Sequence, residues 1–275
     1  MRMQNLVEKE RTELPVSDKD WTLEKQNNGK KQWKSAKRAR KRKHRRRSMA
    51  GFTIIAVLAL LFLNRNGIGV WGGKRYTGKD FGIKRAVSPV DFNHNGKDDY
   101  ADILAGAKED AKNHPRYDGT YCQGGYPPDD VGVCSDVVWR AFKKAGYCLR
   151  DMVDQDISRS PWEYPAVKNR DSNIDFRRVK NLRVFFDKYA QPLTTDINAI
   201  EEWQPGDIVI FGANEHIGIV SDRRNSEGRT YMLHNGGQPN REEDCLGSEE
   251  RAVIAAHYRF DASAVPSDVL IPWQD

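Results

Sequence analysis

The 275-residue sequence lacks internal repeats, and its one low-complexity segment is a basic block. The absence of a repeat excludes solenoid and propeller architectures. Acidic residues are absent from residues 29–47, GKKQWKSAKRARKRKHRRR. A block of like charges repels itself, so we expect residues 1–48 to form a disordered basic tail in the cytoplasm. This tail holds 17 basic and 6 acidic residues of a chain whose net charge is +6, so the remainder is slightly acidic.

Charge of either sign is also absent from residues 49–63, MAGFTIIAVLALLFL, which follow the tail directly. A basic flank before an apolar run indicates a membrane segment whose basic side stays in the cytoplasm. The run is shorter than the roughly 20 residues that span a bilayer. Residues 64–71, NRNGIGVW, complete a membrane span if the Arg65 side chain extends its charged end to the membrane surface. We therefore expect a single-pass transmembrane anchor at 49–71 with an extracytoplasmic C-terminal domain.

Two other interpretations of the N-terminal region stay open. A cleaved signal peptide is one, although the 48-residue tail is long for it and no clear A-x-A site follows. A nucleic-acid-binding arm is the other, since basic runs bind phosphates. The position of the basic block beside an apolar segment favours membrane topology, so no nucleic-acid partner is expected.

The rest of the chain is predicted to be a linker at 72–90 and one domain at 91–275. Apolar residues recur at helical spacing in 99–113, 134–146 and 177–190. Short β-rich segments follow at 207–211, 216–222, 230–235 and 252–260. Helices followed by consecutive strands predict an α+β fold, with N-terminal helices packed on an antiparallel sheet.

A cysteine stands just before a helical pattern in GVCSDVVWRAF, residues 132–142. A thiol nucleophile needs a lowered pKa, a base for its proton and hydrogen-bond donors for the oxyanion. At the start of a helix, the dipole favours a thiolate and backbone N–H groups are available. We therefore expect Cys134 to be a nucleophile with a lowered pKa. The alternative is a small buried apolar residue.

Two histidines follow on neighbouring predicted strands. His216 begins HIGIVSD, and His234 lies near the end of TYMLHN. If these strands form a hairpin, the first residue of one lies opposite the last of the other, and the two imidazoles meet at one edge of the sheet. One histidine would then be the base, and the second would hold its tautomer. Asn235 is the alternative to His234 in the second role.

These segments resemble, in order, the motifs of the NlpC-type cell-wall cysteine peptidases, which are papain-like enzymes of bacterial surfaces. The resemblance is to a branch of uncharacterised function, the domain of unknown function DUF1287. In that superfamily a Y-x-x-G-G segment precedes the cysteine, Pro-Gly-Asp opens the first strand, and the base and a polar third member follow on the next two strands. The matching residues of about 120–235 are Tyr121, Gly124, Gly125, Cys134, Pro205–Asp207, His216 and His234.

The resemblance implies a papain-like core in which Cys134 is the nucleophile, His216 the base and His234 the orienting residue. It implies that Tyr121 contacts the oxyanion or the substrate. The implied enzyme is a peptidase or amidase of peptidoglycan peptides that requires no cofactor for catalysis. Where the family has Asp-Cys-Ser-Gly, this chain has residues 133–136, Val-Cys-Ser-Asp, which leaves the substrate open. A non-catalytic cell-wall-binding module and an acyltransferase that uses the same thioester are alternatives.

Other polar residues have less specific predictions. Arg177 and Arg178 are candidates to bind a substrate carboxylate, because guanidinium groups pair bidentately with such anions. A structural ion pair or a solvated helix face is the alternative. His257 alternates within a predicted strand and is expected to be structural. Disulfide, free-thiol and core roles are all open for the remaining cysteines, which are Cys122, Cys148 and Cys245.

The segment DFNHNGKDDYAD, residues 91–102, follows the pattern of a calcium loop. The pattern places oxygen ligands at positions 1, 3, 5, 7, 9 and 12, with glycine at position 6 for the sharp turn. Position 12 is an aspartate, which has a shorter arm than the usual glutamate. A polar turn that caps the following helix is the alternative. The candidate ligands are Asp91, Asn93, Asn95, the Lys97 carbonyl, Asp99 and Asp102.

Overall fold

The computed structural model describes residues 75–247 and 253–274. Longer helices of this part are α1 (Asp99–Asn113), α2 (Cys134–Lys144), α3 (Leu149–Arg159) and α4 (Val179–Tyr189). Short 3-10 turns lie at Gly78–Phe81, Pro161–Glu163, Asp175–Arg177 and Ala262–Ala264. All three predicted helices are present. The helix α3 lies between the second and third of them and was not predicted.

The sheet forms from the second half of the chain. Its strands are β3 (Gln191–Pro192), β4 (Ile208–Phe211), β5 (His216–Arg224), β6 (Thr230–Leu233), β7 (Glu242–Glu243) and β8 (Ile254–Arg259). They lie in the order β3-β8-β4-β5-β6-β7, and every neighbouring pair is antiparallel. A separate parallel pair joins β1 (Arg116–Tyr117) to β2 (Val131–Gly132). The predicted α+β class with an antiparallel sheet is confirmed.

Helix α2 packs against both α1 and the central strand β5. Its predicted apolar face is buried, since Val137, Val138, Ala141 and Phe142 are all at most 1 % exposed. The sheet is covered on both sides. On β4, Ile208 and Ile210 face the helices, whereas Val209 and Phe211 belong to a second cluster with Trp203 and Met232. Strands β4 and β5 are thus buried on both faces, and β5 lies against α2.

The segment predicted as a linker contacts the domain over its described part. The Arg224 backbone N–H donates to the Tyr76 carbonyl at 2.8 Å, and the Ala86 N–H donates to Gln204 Oε1 at 3.0 Å. Arg85 also pairs with Asp98. Residues 76–90 are therefore packed on the domain.

The predicted tail at 1–48 and the predicted anchor at 49–71 lie outside the described residues. Within residues 75–247 and 253–274, no helix is both long and apolar enough to cross a bilayer.

Candidate functional site

Helix α2 begins at Cys134, as predicted, and Asp136 closes its first turn. The Val133 backbone N–H donates to Asp136 Oδ2 at 2.7 Å, and the Trp139 indole N–H donates to Asp136 Oδ1 at 2.8 Å. The side chain of the third helical residue thus satisfies an amide that would otherwise lack a partner at the start of the helix. These contacts hold the backbone on both sides of Cys134.

Arg177 lies beneath this turn and completes its hydrogen bonds. Its Nε and Nη2 atoms donate to the two oxygens of Asp136 at 2.8 and 2.9 Å, and both side chains are almost fully buried. The prediction that Arg177 binds a substrate carboxylate is wrong, because its guanidinium already binds the carboxylate of Asp136. The alternative of a structural ion pair is the correct one for this residue.

The two histidines meet as the hairpin argument predicts. His216 Nε2 lies 3.0 Å from His234 Nδ1, with the rings perpendicular and their centroids 4.9 Å apart. Strands β5 and β6 pair Ile219 with Leu233, which brings the start of β5 beside the residue after β6. A methyl group on Gly218 would lie 3.0 Å from His234 Cβ, so only glycine allows this close approach.

Glu243 and Gln238 determine which nitrogen of each histidine carries the proton. His234 Nε2 lies 3.1 Å from Glu243 Oε2, and Gln238 Nε2 lies 3.1 Å from His234 Nδ1. An ionised carboxylate only accepts hydrogen bonds, so His234 carries its proton on Nε2 and accepts on Nδ1. His216 must then donate from Nε2, which leaves Nδ1 as the basic nitrogen of a neutral His216.

Cys134 is buried, with 6 % of the residue's surface exposed. Burial raises its pKa above the ordinary value, and the Asp136 carboxylate acts in the same direction, whereas the backbone N–H groups of Ile217 and Ser135 oppose the rise. The prediction of a lowered pKa is wrong, because desolvation outweighs the helix dipole. The contact with Ile217, the residue after His216, places the sulfur beside the start of β5.

A tyrosine that the sequence did not indicate lies close to the thiol. Tyr117 pairs with Gly132 across β1 and β2, two residues before Cys134. Burial raises the pKa of Tyr117, and the neighbouring Cys134 adds to the rise. The predicted Tyr121 is instead half-exposed, and its hydroxyl accepts a hydrogen bond from Asn173 Nδ2 at 2.8 Å.

Two further predicted residues have other partners. Asn235 donates to the carbonyls of Gly132 and Pro115, so it holds the segment before Cys134 and does not contact His216 in the role of third member. Arg178 pairs with Asp175 and keeps a half-exposed side chain. The four cysteines form no disulfide with one another. His257 stacks on Trp203 and bonds to Asp207, which confirms its structural role.

Comparison with known proteins places the chain in a family. The family model described as "Domain of unknown function (DUF1287)" matches residues 104–260. The chain belongs to this family. The Escherichia coli (strain K12) "Uncharacterized protein YijF" is 37 % identical over 168 residues, which cover 58 % of this chain and 80 % of that protein. No solved structure matches. The DUF1287 region contains Cys134, both histidines and Glu243, and it begins after loop 91–102.

Within the described residues of this DUF1287 chain, two groups have the side chains to hold a metal. His234, Glu243 and Cys245 offer ligand atoms that all lie within 4.8 Å of one another. The His234 atom that faces Glu243 and Cys245 is Nε2, so a metal there would replace the Nε2 proton and leave Nδ1 in contact with His216. The second group is loop 91–102, where Asp91, Asn93, Asn95 and Asp102 come together through hydrogen bonds. The oxygens of Asp99 instead accept from the Phe92 N–H and the Tyr147 hydroxyl.

Proposed function

We propose that this DUF1287 domain is a cysteine hydrolase that cleaves an amide bond in peptides of cell-wall peptidoglycan. Cys134 is the nucleophile, His216 the base and His234 the residue that orients His216. The observation that carries the proposal is the 3.0 Å contact between His216 Nε2 and His234 Nδ1 at the end of β5 that lies against Cys134. Glu243 is a positioning residue, because it acts on His216 through His234.

The reaction follows from this arrangement. His216 Nδ1 takes the thiol proton as the sulfur attacks the amide carbon, and the Cys134 backbone N–H stabilises the oxyanion. The intermediate collapses to a thioester when His216 returns the proton to the leaving amine. Water then attacks the thioester, His216 accepts a proton from it, and the acid and the free thiol are released. His234 keeps the Nε2–H tautomer of His216 throughout.

The raised pKa of Cys134 constrains the first step. A neutral thiol is the resting form at neutral pH, so deprotonation by His216 accompanies the attack instead of preceding it. Burial of the same thiol excludes water from the reacting atoms, which strengthens the interaction between the oxyanion and the backbone N–H.

The papain-like core and the peptidoglycan substrate are proposed from the resemblance to NlpC-type enzymes. A cysteine at the start of a helix that packs on an antiparallel sheet, with the base at the start of one strand, supports a papain-like core. Peptidoglycan peptides are the substrate of that superfamily, and the basic-then-apolar order of residues 29–63 supports a membrane-anchored domain outside the cytoplasm.

The proposal is tested by incubating the full-length protein with muropeptides and measuring product masses. We expect hydrolysis by the wild type and no hydrolysis by Cys134→Ala or His216→Ala. Cys122→Ala and His94→Ala are matched controls outside the site, and both should retain activity. Cleavage that survives Cys134→Ala would exclude the mechanism. A product in which an added amine replaces water would show that the thioester serves acyl transfer.

A non-catalytic cell-wall-binding module is the second candidate, and the burial of Cys134 favours it. Such a module would bind muropeptides with the same affinity before and after Cys134→Ala, and it would release no product. Calorimetric titration of both proteins with muropeptides, followed by mass analysis of the same samples, separates the two functions.

A further inference from the structure

Three carboxylates of loop 91–102 lack a basic partner. Among residues 75–247 and 253–274, the ion pairs include neither Asp91 nor Asp99 nor Asp102. Asp99 and Asp102 are each 1 % exposed. Burial of a carboxylate is costly unless the charge is paired or binds a metal. The loop therefore has negative charge that the described residues do not balance.

The carboxylate of Asp102 shows this imbalance at the level of single atoms. Its Oδ2 accepts hydrogen bonds from the amides of Asn93 and Asn95 at 3.0 and 2.7 Å, so the group points into the loop. Its Oδ1 is buried and has no hydrogen-bond partner in the described part of the chain. A buried carboxylate oxygen without a partner requires a donor or a cation from outside the protein.

We propose that loop 91–102 binds a calcium ion. The ligands are side-chain oxygens of Asp91, Asn93, Asn95 and Asp102 together with the backbone carbonyl of Lys97. All of these are hard oxygen donors, and calcium accepts six to eight of them, with water completing the set. Asp99 adds negative charge beside the ion, while its own oxygens stay bound to Phe92 and Tyr147.

The backbone of the loop already has the shape that the ion requires. Gly96 has a φ of +86°, and its N–H donates to Asp91 Oδ2 at 2.8 Å, which closes the sharp turn. The amide groups of Asn93 and Asn95 present their N–H sides to Asp102. Each amide must rotate by half a turn to present its oxygen instead, and the ion then replaces these two donors at Asp102.

Calcium bound here would attach the loop to the end of helix α2. Phe92 stacks on Tyr147, three residues after the end of that helix, with ring centroids 4.1 Å apart, and the Asn93 Cα and Cβ atoms lie beside Gly146. The ion therefore links residues 91–102 to the helix that carries Cys134 at its other end. The site is independent of the proposed hydrolysis, because none of its ligands belongs to the Cys134 site.

The test is calorimetric titration of the full-length protein with calcium chloride, with thermal unfolding in parallel. We expect uptake of one ion with a dissociation constant of about 10⁻⁴–10⁻³ M, as in extracellular modules. Calcium at about 100 times that constant should raise the melting temperature by roughly 5–10 °C. Asp91→Asn and Asp102→Asn should abolish both the uptake and the shift.

Asp98→Asn is the matched control. Asp98 lies in the same loop, but its side chain pairs with Arg85 and accepts from Ser88 N–H, so it is not a ligand. This variant should keep the uptake and the shift of the wild type. Absence of wild-type uptake at 10 mM calcium, about 10–100 times the expected constant, would overturn the proposal. Uptake retained by both ligand variants would overturn it as well, because the ion would then bind elsewhere.

Discussion

At the start of helix α2, the buried carboxylate of Asp136 accepts hydrogen bonds from a backbone amide, an indole and the guanidinium of Arg177. Beyond the end of the same helix, the buried carboxylate of Asp102 accepts from two neutral amides, and its other oxygen has no partner among residues 75–247 and 253–274. The first carboxylate is balanced by the chain itself. The second is balanced only if a cation comes from solution.

The carboxylates at the two ends of helix α2 are therefore stabilised in different ways. A balanced ion pair beneath Cys134 fixes the backbone that the chemistry requires, at the cost of burying two charges. An unbalanced carboxylate in a preformed turn makes stability depend on a ligand. Substitution of both aspartates by asparagine removes one negative charge from each end with little change in shape, and it therefore tests the comparison directly.

Asp136→Asn should have the largest effect on stability. The substitution leaves the buried guanidinium of Arg177 without its counter-charge, and loss of one partner of a buried pair costs about 3–5 kcal/mol. Urea unfolding without calcium should show this loss in the free energy of unfolding. Asp102→Asn under the same conditions should lose less than about 1 kcal/mol, because no cationic partner is left behind. Equal losses would contradict the comparison.

Glu243→Gln should have the next largest effect, and it should act on catalysis. Loss of the carboxylate weakens the bond that fixes the His234 tautomer, so we expect kcat for muropeptide hydrolysis to fall about 10- to 100-fold. Removal of a negative charge also disfavours the imidazolium, so the acid limb of the pH–rate profile should move to lower pH.

The neighbouring carboxylate provides the control for this prediction. Glu242 lies on the same strand and bonds to Ser221, away from the histidines. Glu242→Gln should leave both kcat and the position of the acid limb unchanged. A merely structural role of Glu243 would lower the melting temperature without moving the acid limb.

Alkylation of Cys134 should depend on pH in the direction that its raised pKa requires. A folded-state pKa above the unfolded value keeps the thiol neutral over a range in which the unfolded thiol is already partly ionised. We expect the folded protein to react with iodoacetamide at least about tenfold more slowly than the unfolded protein at pH 8. The rate should still be rising above pH 9.

Mass analysis of the modified peptide separates Cys134 from the more exposed Cys122. Restricted access alone would slow alkylation by the same factor at every pH, so the shape of the profile isolates the pKa. A plateau below pH 8 would contradict the neutral thiol and indicate a resting ion pair with His216.

Local patterns in the sequence predicted the placement of Cys134, His216 and His234. Helical periodicity predicted where α2 begins, and hairpin register predicted that the two imidazoles meet, because both depend on neighbours that are close in sequence or fixed by strand pairing. A glycine after an apolar helical pattern is a typical end signal, and α2 ends at Lys144, two residues before Gly146. Gly146 adopts a φ of +92°, and its N–H bonds back to the Lys143 carbonyl.

The residues that support the site were not predictable in this way. Arg177 meets Asp136 across 41 positions of sequence, and Glu243 lies on a strand of two residues, which is too short to show an alternating pattern. Asp136 as the third helical residue is a recognisable capping signal, but Val133 before it lacks the hydroxyl that completes the motif. The pKa of Cys134 depends on burial, which only the folded chain determines.

Gly146→Ala tests whether the end of α2 and loop 91–102 depend on each other. Its new methyl group would lie 2.8 Å from Asn93 Cβ. Gly124→Ala is the matched control, since Gly124 has a φ of +86° and nothing within 4 Å of the added carbon. Both variants should lose about 1–2 kcal/mol from backbone strain, and Gly146→Ala about 1 kcal/mol more from the contact. Only Gly146→Ala should weaken calcium binding in calorimetric titration, because its added methyl group displaces the ligand Asn93. Equal calcium affinities in the two variants would show that the loop binds its ion without help from helix α2.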